Sequence, residues 1–268
     1  MALFSENEGK NLFGHNVSGY DQVRPAYPEW IYILLAEQKA LFPNAATLEI
    51  GAGNGLATRQ LIKHGVSPLT LLEPEEKFAP LLRSLTEAST CAADIRHEVF
   101  EDSHFESSSF DLVVIATAFH WLDPNTRVGK LSQITKSNGY VALLWNVFGD
   151  SSRADPFHEA TVEVFGSMES SPSTEPDKVP FALDREARER EFLWGGSFEL
   201  ALYVESRWQL HVNPEQVKLL YEGFSQIVRL PEARRNQILA ELTRIAETKF
   251  SGLVTRNMTS VLYLFRRT

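Results

Sequence analysis

Residues 47–60 read Thr-Leu-Glu-Ile-Gly-Ala-Gly-Asn-Gly-Leu-Ala-Thr-Arg-Gln, a short apolar run, three glycines at alternate positions, and then a helix-forming segment. The pattern predicts a strand, a tight turn and a helix. Glycines there admit positive φ and let a ligand approach the backbone at a helix mouth. A dinucleotide fingerprint needs Gly or Ala at its last place, to pack helix on strand around a pyrophosphate, and this chain has Leu56 there. Glu49 instead precedes the glycines inside the strand. As a buried anion it would repel a pyrophosphate and favour a cation.

A second apolar run, Leu69–Leu72, ends at Glu73, 22 residues after Gly51. A carboxylate at a strand tip can accept bonds from both hydroxyls of a ribose. A nucleoside bearing a positive group satisfies both acids.

This combination resembles motif I and the following acidic strand end of class I S-adenosylmethionine-dependent methyltransferases. Upstream, Tyr20-x-x-x-Arg24-Pro25-x-Tyr27-Pro28 is similar to the N-terminal segment of the trans-aconitate methyltransferase-like group, small-molecule enzymes of the type 11 kind. The resemblance implies S-adenosyl-L-methionine as cofactor. It places the cofactor on Gly51, Ala52 and Gly53, on Glu49, on Glu73 and Pro74, and on Ala116 and Thr117. Phe100 and Glu101 would bracket the adenine, with Asp102 as a substitute acceptor. Tyr20 and Arg24 share a helix face and offer a hydroxyl and a bidentate cation to a carboxylate, either the cofactor's or an acidic substrate's.

The remaining chain supports an α/β reading. Pro28 precedes a helical period over 29–35, and Pro74 through Thr90 places Phe78, Leu81, Leu82 and Leu85 on one face. A third strand is predicted at His97–Glu101. The fourth, Ser109–Ala116, is apolar almost throughout, as a strand covered on both faces should be. It leads into Thr117-Ala118-Phe119-His120-Trp121, where the resemblance is again specific, and His120 is the expected base or substrate-orienting donor. The run lacks the Asn/Asp-Pro-Pro-aromatic string of nucleic-acid amino-methyltransferases. Strands are further predicted at Gly139–Trp145, Phe198–Leu210 and Thr259–Phe265, and helices at 214–224 and 231–247. The expected architecture is a Rossmann-like, seven-stranded, mostly parallel sheet with an antiparallel last strand at one edge and helices on both faces. It forms a single domain over 1–268, with a cap segment at 15–40, a cofactor-binding core at 41–149, a lid insertion at 150–197, and the rest of the sheet and helices at 198–268.

Composition narrows the partners. A formal charge of −9 disfavours nonspecific attraction to nucleic acid or anionic membrane, whose phosphates need Lys and Arg clusters. Cys91 is the only cysteine, and the seven His form no metal-ligand spacing. A cytoplasmic chain acting on a small molecule, without metal, is therefore expected. A nicotinamide oxidoreductase, or a module that binds S-adenosylmethionine without turnover, remains as an alternative.

Overall fold

The computed structural model describes residues 24–148, 153–165 and 179–268. In chain order these form α1 (Glu29–Glu37), β1 (Thr47–Ile50), α2 (Leu56–Lys63), β2 (Leu69–Leu72), α3 (Ala79–Glu87), β3 (Ala93–Arg96), β4 (Phe110–Ala116), α4 (Arg127–Ile134) and β5 (Thr135–Phe148). Then come α5 (Pro156–Phe165), α6 (Arg185–Leu193), β6 (Phe198–Val212), α7 (Pro214–Glu222), α8 (Ser225–Val228), α9 (Glu232–Lys249) and β7 (Val254–Arg267).

The seven strands form one sheet in the order β3-β2-β1-β4-β5-β7-β6. Pairings from β3 through β5 are parallel. Strand β7 runs the other way: Ser260 bonds Asn146 near the end of β5, whereas Arg267 bonds the Thr135 carbonyl at its start. The antiparallel last strand is thus as expected, but its place is different. It lies between β5 and β6, and β6 is the edge. All four residues of β1 and all four of β2 are buried, which explains why both read as largely apolar runs, interrupted by Thr47, Glu49 and Thr70. Each fully buried Leu or Ile there contributes about 1.5–3 kcal/mol.

The third strand is Ala93–Arg96, not His97–Glu101. Its register is set by pairing Leu69–Leu72 with Ala93–Arg96. This edge strand is half-exposed and polar, so burial left no apolar pattern to mark it. Residues 97–101 follow its carboxyl end.

The described residues group into two compact units. The first holds Ala26–Asn146, Ala182–Glu205 and Ser260–Thr268, and the second holds residues up to Pro25, Val147–Phe181 and Ser206–Thr259. The second has its own apolar core, in which Phe157 of α5, Leu220 and Tyr221 of α7, and Leu239, Leu242 and Ile245 of α9 meet. Asn213 caps α7 and forms a reciprocal pair with Gln216, satisfying two otherwise unpaired helix-start donors.

Of the expected lid insertion, 149–152 and 166–178 lie outside the described residues. Helix α6 is a packed element of the first unit. Fully buried Phe192 stacks on Phe265 with ring centroids 3.9 Å apart. Among the described residues, no helix is long and apolar enough to cross a membrane.

Candidate functional site

The carboxyl ends of β1, β2 and β4 bring most of the expected site residues together. As β1 ends, Gly51 and Ala52 both donate to the Leu72 carbonyl, at 2.8 and 3.1 Å, so the glycine turn is sewn to the tip of β2. Gly51 has φ +74°, and a Cβ there would sit 2.6 Å from the Ala118 Cβ. Only glycine fits. Gly53 also has positive φ, but around it a Cβ would meet nothing within 4 Å, so its backbone is open to a ligand.

Glu73 caps this arrangement. One carboxylate oxygen accepts from Gly53 N at 2.7 Å, and the other accepts from Glu75 N at 2.9 Å. Burial raises its pKa, while those two backbone donors oppose the rise. Each oxygen keeps a second lone pair for a ligand hydroxyl. Pro74, half-buried, follows directly.

Glu49 behaves otherwise. Its partners across the sheet are Leu71 and Val114, and it is 1% exposed. The Thr58 hydroxyl of α2 donates to its Oε2 at 2.7 Å. Desolvation dominates and pushes its pKa up to about 8, with Glu73 adding to the rise and Thr58 opposing it. Glu49 is thus buried as expected, and its burial disfavours the anion until a cation arrives, because one hydroxyl does not replace the water it has lost.

The tip of β4 carries the second half of the site. Ala116 is half-buried, and Thr117 has φ +58°, costly for a β-branched residue at about 1–3 kcal/mol. Two bonds hold it there. Its N–H donates to the Leu144 carbonyl at 2.7 Å, and its hydroxyl lies 2.7 Å from the Tyr27 hydroxyl. Tyr27 belongs to the N-terminal string yet had no assigned role. Its spacing in that string was the available signal.

His120 sits in a 3-10 turn, Phe119–Trp121, with its ring 5.0 Å from that of Trp121. After β3, Phe100 is 3% exposed and its ring lies under the Lys130 ammonium at 4.8 Å, so it packs inward rather than presenting a bare face. The Glu101 carboxylate accepts from Asp123 N at 2.9 Å, and Asp102 is exposed. Arg24 is half-buried and is grouped with the second unit, while Tyr20 lies outside the described residues.

Residues 48–143 match a family model described as a methyltransferase domain. A methyltransferase-like protein of Schizosaccharomyces pombe is 25% identical over 88% of this chain and 86% of its own. A methyltransferase of Mycobacterium tuberculosis is 27% identical over 50% of this chain and 51% of its own. Among solved structures, a methyltransferase from Thiobacillus denitrificans in complex with S-adenosyl-L-homocysteine superposes with TM-score 0.57 at 14% identity, over 94% of this chain and 97% of that one. A structure described as a sarcosine dimethylglycine methyltransferase from Galdieria sulphuraria gives TM-score 0.54 at 16% identity, over 90% and 84%. These structural likenesses carry the fold. The domain matched over residues 48–143 and the methyltransferases this chain is similar to support methyl transfer from S-adenosylmethionine. The nicotinamide reading lapses with that.

Proposed function

We propose that the protein moves the methyl group of S-adenosyl-L-methionine to a small-molecule acceptor, with a carboxylate as the first acceptor class to test. The observation that carries the cofactor assignment is the contact between Glu73 and Gly53, an acid with lone pairs to spare set against a backbone open to a ligand. When bound, the cofactor supplies a methyl group already activated on a sulfonium. The chain's own tasks are then alignment and exclusion of water. Glu73 would receive the ribose hydroxyls, Gly51 to Gly53 would line the nucleoside, and Glu49 would face positive charge once it ionises. The N-terminal string supports the carboxylate, since Tyr20 and Arg24 suit a carboxylate partner.

His120 separates the acceptor classes. A carboxylate is ionised at neutral pH and needs no base, whereas an amine or phenol must pass a proton, and a His120 ring nitrogen is the group to take it. Product formation across a panel of acids, amines and phenols tests the proposal. With a carboxylate acceptor, His120→Ala should lower kcat by about tenfold or less. A loss above about a thousandfold, the upper half of the range for acid-base groups, would contradict the carboxylate reading and favour an acceptor that must be deprotonated.

A further inference from the structure

Two turns wall the strand tips of the first unit, one after β3 carrying Phe100 and Glu101, the other after β4 carrying His120. Both are tied to α4, from residues three apart that share a helix face. Arg127, 5% exposed, donates from one guanidinium nitrogen to the Phe119 carbonyl at 2.8 Å and the Leu122 carbonyl at 3.2 Å, so it grips the His120 turn at both ends. Its Nε donates to Glu191 of α6 at 2.5 Å, and the guanidinium lies 4.0 Å over the Phe119 ring. Lys130 donates to the carbonyls of Phe100, Glu101 at 3.1 Å and Ser103 at 2.5 Å, a full set for an ammonium. The Glu101 bond to Asp123 N then joins the two turns.

Three backbone carbonyls around one ammonium, and two around one guanidinium anchored by a carboxylate, fix loop geometry more strictly than packing does. We infer that Arg127 and Lys130 are positioning residues with separable tasks: Arg127, anchored by Glu191, sets the direction of His120, and Lys130 sets the turn that borders the cofactor. The inference rests on the methyltransferase reading of the strand tips. Lysine cannot replace Arg127, because a point ammonium lacks the planar fork that reaches Glu191 and two carbonyls together.

The test uses the full chain with 15N-labelled histidine. The His120 ring signals are identified by their loss in His120→Asn, and S-adenosylmethionine binding is followed by calorimetry. Arg127→Lys should displace or broaden the His120 ring signals while the cofactor Kd stays within about twofold. Lys130→Met should displace the His120 signals less than Arg127→Lys does, since Glu101 still links the turns, and raise the Kd about tenfold, the scale of losing hydrogen bonds to a charged group. Glu191→Gln should displace the His120 signals in the same direction as Arg127→Lys, and it decides the matter if Arg127→Lys does not fold. Unchanged His120 signals in Arg127→Lys and Glu191→Gln, or a cofactor Kd that rises equally in all three variants, would overturn the inference. A wild-type chain that binds no S-adenosylmethionine would overturn the cofactor reading and the Lys130 task with it, while the His120 signals would still decide the task of Arg127.

Discussion

Two buried carboxylates, Glu49 in the sheet unit and Asp155 in the helical unit, show how differently one protein treats the same problem. Asp155 is 7% exposed and meets Arg256, itself 4% exposed, at 2.8 Å, while Arg256 also donates to the Tyr221 hydroxyl at 2.5 Å. Its other oxygen accepts from His158 N at the start of α5. Charge and hydrogen bonds are closed within the cluster. Among the described residues, Glu49 has the Thr58 hydroxyl and no cation among its electrostatic partners, so burial raises its pKa instead. A charge that is fully paired belongs to the architecture. One buried without a counter-charge keeps its capacity for something that arrives later, and that is what a binding site requires.

The comparison breaks most visibly on the Asp155 side. Asp155→Ala leaves Arg256 charged in an apolar core and should destabilise the protein by about 3–5 kcal/mol, read from urea unfolding. A loss under about 1 kcal/mol would show that the pair is solvated, and the contrast with Glu49 would fall.

Glu49→Gln sharpens it through pH. The folded pKa of about 8 lies above the unfolded value of 4.5. From pH 4.5 to 8 the unfolded chain therefore releases a proton that the folded chain retains, and stability falls as pH rises through that window. Relative to Glu49→Gln, the wild type should lose roughly 4 kcal/mol between pH 4.5 and 8 and little further above about pH 9. Parallel stability curves for the two proteins would mean that Glu49 is ionised throughout.

On the ligand side, Glu73→Ala should weaken S-adenosylmethionine binding by about 1.5 to 3 kcal/mol, measured by calorimetry. Unchanged affinity would remove Glu73 from the ribose. The smallest effect concerns Thr117: Tyr27→Phe deletes one hydroxyl pair and should cost about 1 kcal/mol of thermal stability. A cost near zero would mean that Leu144 alone holds the strained backbone.

The glycine turn and the strand-tip acid were legible because their chemistry is local. A positive φ needs Gly51, and an acid following an apolar run marks a strand tip wherever the strand lies. The third strand was misplaced for the opposite reason, since Ala93–Arg96 is half-exposed and carries no periodicity, while Val99 and Phe100 look like a strand but sit beyond one. The raised pKa of Glu49 has no mark in the sequence, which shows the carboxyl and not the desolvation. Arg127 and Lys130 carry no signal in the sequence, because their targets are carbonyls, which every residue has.

By itself the sequence determined the first, second, fourth and fifth strands, the turn that only glycine can make, and the pair of acids at 49 and 73, because each depends on residues close in the chain. Tertiary structure alone decided that β7 enters between β5 and β6, that burial raises the Glu49 pKa, and that α4 ties the turns after β3 and β4. Those outcomes depend on which surfaces lose water and which carbonyls come within reach of a distant cation, quantities that no stretch of residues carries on its own.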